Sequence, residues 1–132
     1  MKITADTNVL IRVLTRDDAR QSRIAEAELA DAAMVALTLP ALCEVAWVLS
    51  RGYRTPLADI AEAIRRLINS VNVAANRPAV EAGLALLEAG GDFADGVIAY
   101  EGRRLGADAF VSFDRKAVNL VKAQGQAARL LS

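Results

Sequence analysis

The chain predicts an α/β protein of three layers, α/β/α, with a central parallel sheet covered by helices on both faces. Three observations carry this. Short apolar runs alternate with longer stretches of helical periodicity along the 132 residues, the pattern of strand–helix–strand units. Runs such as MVALTL and AFVSF are apolar without alternation, as strands buried on both faces are. Finally, 54% of the residues are hydrophobic but only 5% aromatic, which suits helices packed on a sheet better than an aromatic-rich β-sandwich. Length and uniform composition predict one domain over residues 1–132.

The elements follow in order. KITAD (residues 2–6) opens as a strand, and residues 8–15 continue as an apolar-rich helix. Asp17 or Asp18 can cap a second helix over RQSRIAEAELADA, with Ile24, Ala27 and Leu29 on its buried face. Residues 34–39 read as a buried strand. Pro40 suits the first turn of a helix running through Ser50 and ending at Gly52. Thr55-Pro56 signals the cap and first turn of the next helix, whose Leu57, Ile60, Ala61, Ile64, Leu67 and Ile68 keep helical spacing. Residues 71–73 suggest a short strand, and a helix over 78–88 stops at Gly90-Gly91. Residues 92–105 are helical and end at Gly106. AFVSF (109–113) reads as a buried strand, 114–122 as a helix and 127–131 as a last strand.

Absent residues narrow the chemistry. Without histidine, Ser-His-Asp catalysis, histidine acid–base work and histidine-ligated zinc are excluded. One cysteine, Cys43, excludes an intrachain disulfide and CxxC sites; it reads as a small buried hydrophobe. A catalytic site must then use carboxylates, hydroxyls, Lys or Arg, and carboxylate oxygens favour Mg²⁺ or Mn²⁺. Sixteen basic residues balance sixteen acidic ones, so any nucleic-acid affinity requires a local concentration of positive charge. No apolar run approaches the roughly 20 residues that span a bilayer. The N-terminus lacks a signal-peptide pattern, so a cytoplasmic protein is expected.

Ligands of parallel sheets bind beyond the carboxyl ends of the strands, and acidic residues stand at two such ends. Asp6 follows the first strand and Asp114 follows AFVSF. Each is also a suitable N-cap for the helix after it. Glu44 lies within the apolar helix LPALCEVAWVLS, where a buried carboxylate would need a partner or a metal and an outward-facing one would need nothing. Asp92 and Asp95, in GGDFADGVIAYEG, are three apart: one helical face, or an N-cap and a first-turn acid. Carboxylates converging at one place repel unless a cation intervenes, which links this set to metal-assisted phosphate chemistry.

Asp6-Thr7-Asn8 after the first strand, Glu44 on an apolar helix, Asp92 to Ala99 (DFADGVIA), and Ser112-Phe113-Asp114 together resemble the PIN-domain family over essentially the whole chain. The short length resembles its VapC-type toxins. The resemblance implies a parallel sheet of strand order 3-2-1-4-5 and a Mg²⁺- or Mn²⁺-dependent endoribonuclease. It further implies a homodimer held inactive by a VapB-like antitoxin. It places Asp6, Glu44, Asp95 and Asp114 in the acidic quartet as catalytic residues and metal ligands. Asp92 stands beside the quartet, with Asn8 and Ser112 as supporting polar positions. Gly96, where alanine is common, and Tyr100-Glu101 depart from the pattern.

Candidate RNA contacts are Arg12, Arg115 and Lys116, with Arg16, Arg51, Arg54, Arg103 and Arg104 behind them; any of these can equally be solvated or ion-paired. Competing readings are a non-catalytic module of the same fold and another Mg²⁺-dependent phosphate hydrolase. For a haloacid-type phosphatase, Asn8 stands where an aspartate is wanted.

Overall fold

The computed structural model describes residues 1–132. The order is β1 (Lys2–Thr4), α1 (Thr7–Thr15), α2 (Ala19–Asp31), β2 (Met34–Leu37), α3 (Leu39–Trp47), α4 (Leu57–Ile68), β3 (Val73–Ala75), α5 (Arg77–Glu88), α6 (Phe93–Arg104), β4 (Phe110–Ser112), α7 (Arg115–Ala123) and β5 (Ala128–Leu130). This is the α/β class with parallel strands that the sequence predicts. The chain divides into two compact units, Met1–Asn76 and Arg77–Ser132.

In the first unit β2 is the central strand, flanked in parallel by β1 and β3, with Ile3, Val35 and Val73 in register. Val35 and Leu37 of β2 are buried. α1 packs on α2 and α3. The predicted apolar set of α4 is buried at Ile60, Ala61, Ile64, Leu67 and Ile68, with Leu57 half-buried. α3 starts behind a Thr38 cap on the Ala41 amide and carries Pro40 in its first turn. It then widens into one π-helical turn, Val48–Gly52.

Several local expectations are corrected in this unit. α2 buries Ser22 and Ala25, not Ile24 and Ala27, which face solvent. Ser22 Oγ donates to the carbonyl of Arg12 at 2.7 Å, so the contact with α1 selects α2's inner face. Pro56, not Thr55, occupies the cap of α4, with extended ψ of 144° and no side-chain cap bond. The third strand begins at Val73, because Val71 is fully exposed in the turn before it. Cys43 is half-buried and outside any disulfide; the buried face of α3 is Ala41, Leu42, Val45 and Ala46.

In the second unit β4 and β5 pair in parallel, Phe110 with Ala128 and Ser112 with Leu130. Leu86, Ala99, Val118, Val121 and Ala128 form the core around them. α5 ends in a left-handed Gly90 (φ 98°), and the Gly91 amide donates back to the Leu86 carbonyl at 2.8 Å. This is a helix terminus that favours glycine. α5 and α6 then pack at very short range. A Cβ on Gly96 would lie 2.4 Å from the Ala82 carbonyl oxygen, and one on Gly83 would lie 2.7 Å from the Phe93 ring. Phe93 is wholly buried in that notch. β4 is not the buried strand expected: Val111 is 45% and Phe113 is 76% exposed. The ladders give β1-β2-β3 and β4-β5; the order 3-2-1-4-5 needs a β1–β4 neighbour relation that lies beyond them.

Candidate metal and nucleic-acid site

Three of the singled-out aspartates are helix N-caps, as their position before helices allows. In the first unit Asp6 caps α1, its Oδ1 accepting from the Thr7 amide at 2.8 Å. In the second, Asp92 Oδ1 accepts from the Ala94 amide at 3.2 Å and Asp114 Oδ1 from the Ala117 amide at 3.2 Å. Capping is therefore observed for each, but it engages one carboxylate oxygen. The Oδ2 atoms take no part in these caps, so capping and ligation are compatible. All three side chains belong to exposed residues, reachable by a metal or a phosphate.

Asp95 differs. It stands in the first turn of α6 and is half-buried. Burial, then the charges of Asp92 and Asp114, push its carboxyl above the usual value of 3.8. In the second unit the charges of Asp92 and Asp114 thus both reach Asp95. Ser112 contributes geometry: its Oγ accepts from the Asp114 amide at 3.0 Å, while its carbonyl accepts from Leu131 at 2.8 Å. The segment that presents Asp114 is held from both sides.

Glu44 does not lie in an apolar environment. It is on the exposed side of α3, opposite Leu42 and Val45, so the burial argument for a metal or partner at this position falls. Trp47, on the same helix, is 59% exposed. Asn8 is exposed in the first turn of α1.

The cations also separate. Arg12 binds Asp17 at 2.9 Å through Nη1 and Gln21 at 2.6 Å through Nε. Asp17 also accepts from Thr15 Oγ1 at 2.9 Å and Tyr53 Oη at 2.7 Å. The Tyr53 bond, then the Thr15 bond, hold the Asp17 carboxyl below its usual range. For Arg12 the ion-paired alternative is the one observed, and Arg16 likewise pairs with Glu26 at 3.0 Å. This hub was not foreseen from the sequence; its Tyr53–Asp17 bond joins residues 36 positions apart, which no local pattern signals. Arg115 and Lys116 are exposed in the first turn of α7.

A donor set made only of carboxylate oxygens suits a hard divalent cation, and the like-charge neighbourhood of Asp95 suits one electrostatically. Within neither unit do three acidic or cysteine side chains stand ready-arranged around one ion position. The residues fit the ion by chemistry, not as a rigid preformed cage.

The family model described as PIN domain matches residues 3–123. No curated protein matches the chain.

Proposed function

The chain belongs to the PIN-domain family, and we propose that it is a Mg²⁺- or Mn²⁺-dependent endoribonuclease, the toxin of a toxin–antitoxin pair, working as one domain over residues 1–132. PIN domains are typically metal-dependent nucleases, so a hydrolytic role on nucleic acid follows from membership. RNA as substrate and the toxin role are the proposal.

The observation that carries it is Asp95, half-buried beside Asp92 and Asp114 with its proton affinity raised. A divalent cation relieves that repulsion more effectively than a proton at neutral pH. Asp6, Glu44, Asp95 and Asp114 are assigned as the ligands and catalytic acids, with Asn8, Asp92 and Ser112 supporting them. When bound, the ion would polarise a phosphate oxygen and acidify a water molecule for attack on phosphorus. The chain's own residues bind and orient. Asp6 and Asp114 each offer the carboxylate oxygen not engaged in capping, and Ser112 holds the backbone of Asp114. Arg115 and Lys116 supply local positive charge for phosphates in a protein of zero formal charge.

A VapB-like antitoxin and a second copy of the chain are the proposed partners, in the cytoplasm. Exposed Trp47 and Ile24 give a partner apolar surface to cover. No helix is long and apolar enough to cross a membrane.

The test is cleavage of RNA with Mg²⁺ or Mn²⁺, with EDTA, and with Asp6→Asn. Cleavage should need metal and vanish in the variant. No cleavage with either metal would remove the enzyme reading, and an active Asp6→Asn would remove the site assignment.

A further inference from the structure

We infer that Tyr53 is a positioning residue of the proposed metal site. By donating to Asp17 it fixes how α3, which carries Glu44, lies on α1, which Asp6 caps. This rests on the nuclease reading above and adds to it a residue that touches neither metal nor RNA.

Two rigid paths lead from this bond to the two acids, both within the first unit. On one side Tyr53 is tied to Glu44 through the helix itself. The Tyr53 amide donates to the Val48 carbonyl at 3.2 Å, closing the π-helical turn, and the Val48 amide donates to the Glu44 carbonyl. On the other side Asp17 is tied to Asp6 through α1. Its Oδ1 accepts from Arg12 Nη1 and Thr15 Oγ1, both at 2.9 Å, and both donors belong to the helix that begins at the Asp6 cap. Gln21 of α2 steadies Arg12 at 2.6 Å. Tyr53 Oη closes the loop on Asp17 Oδ2 at 2.7 Å. α1 and α3 pack on each other, but apolar packing is non-directional. A hydrogen bond weakens steeply off its preferred angle, so this one restricts how the two helices slide and rotate.

Strain marks the same joint. The π turn accommodates one extra residue, which turns Tyr53 about 100° from where a continued α-helix would aim it. Arg16 and Arg54 stand next to Asp17 and Tyr53, and they are the only non-glycine residues with left-handed backbone, at φ 54° and 53°. Their Cβ atoms disfavour that conformation. Distortion of this kind persists where the surrounding structure imposes it. Here three distortions gather on one bond between exposed residues, which by itself adds little to stability. Orientation is what such a bond supplies.

The test uses Tyr53→Phe, which removes the hydroxyl and keeps the ring. In metal-free protein carrying Cys43→Ala, spin labels at Asn8→Cys and Trp47→Cys, both exposed positions, report the spacing of α1 and α3 by their dipolar coupling. Tyr53→Phe should shift and broaden the label distance, Asp17→Ala should do the same, and the double variant should do no more. In unlabelled protein, Mn²⁺ affinity read from the free-ion resonance signal should weaken about tenfold in Tyr53→Phe. In a Glu44→Gln background the same change should cost nothing further. A merely stabilising bond would leave label distance and Mn²⁺ affinity of the folded protein unchanged, and either result overturns the inference. So does a loss of affinity that persists in Glu44→Gln. Cleavage of RNA by the wild type is scored separately. Cutting by a wild type whose two readouts Tyr53→Phe leaves intact removes this inference alone. A wild type that neither binds Mn²⁺ nor cuts RNA, with labels that still move in Tyr53→Phe, removes the nuclease reading and leaves the α1–α3 joint standing.

Discussion

Replacing Gly96 by alanine should destabilise the second unit although alanine is the better helix former. The sequence points the other way: Gly96 lies inside α6, where Gly→Ala favours the helix by about 1 kcal/mol. The structure reverses the sign. The new Cβ would stand 2.4 Å from the Ala82 carbonyl oxygen, 2.8 Å from Gly83 Cα and 3.0 Å from the Ala82 carbonyl carbon. All three atoms are backbone of α5, so no rotamer change relieves them. The helices must separate by about 1 Å to reach ordinary contact distance, loosening Phe93 from its notch over Gly83. Overpacking of this kind costs about 1–3 kcal/mol. With the clash on backbone the upper end applies, leaving about 2 kcal/mol net. For a chain of this length that corresponds to a fall in Tm of about 6–10 °C. Gly102→Ala on the same helix is the control. Its Cβ would meet only Ala107 Cβ at 4.0 Å, so propensity wins and the variant should gain about 0.5–1 kcal/mol. Thermal melts by circular dichroism read both. A Gly96→Ala protein melting at or above wild type would refute the close α5–α6 approach. Because Asp95 is the preceding residue, cleavage by Gly96→Ala should fall further than the melt implies, since a displacement of about 1 Å can cost on the order of a hundredfold in rate.

Other outcomes follow from the acids and cations. The Asp95 carboxyl is raised above its usual 3.8, first by burial and then by Asp92 and Asp114. It therefore contributes stability below its unfolded value that is lost as pH rises through the raised one. The melting temperature of metal-free wild type relative to Asp95→Asn should therefore fall as pH rises from below 3.8 to 7, and Mn²⁺ should recover the loss at pH 7; a difference between the two proteins that does not change with pH contradicts the assignment. Asp114→Asn should keep the α7 cap, since asparagine caps as well as aspartate, while losing activity. Asp114→Ala should lose activity and also about 1 kcal/mol of stability in urea titration, so equal stability of the two variants would count against the cap. Arg12→Ala should leave the salt slope of RNA binding unchanged, because its guanidinium is committed to Asp17 and Gln21; a loss of slope would show that Arg12 reaches phosphate.

By itself the sequence determined the α/β class, the order of strands and helices, the family, and the exclusion of histidine chemistry. It could do so because these rest on local signals. The caps at Asp18, Asp92 and Asp114 act within three residues, the apolar spacing of α4 within a few turns, and the absence of histidine requires no structure. Even the alternative that Asp6 and Asp114 are N-caps was readable, and both are. What only the tertiary structure decided is which surface each element turns inward and how near two segments come. Ile24 and Ala27 share a helix with Ser22 and Ala25, and only α1 chose between the two faces. Glu44 and Phe113 sit in apolar strings that look buried, yet both face solvent. Gly96 reads as a departure from the expected alanine until the Ala82 carbonyl is placed beside it. Burial and close approach depend on partners distant in the chain, and side-chain type and spacing do not encode their distances.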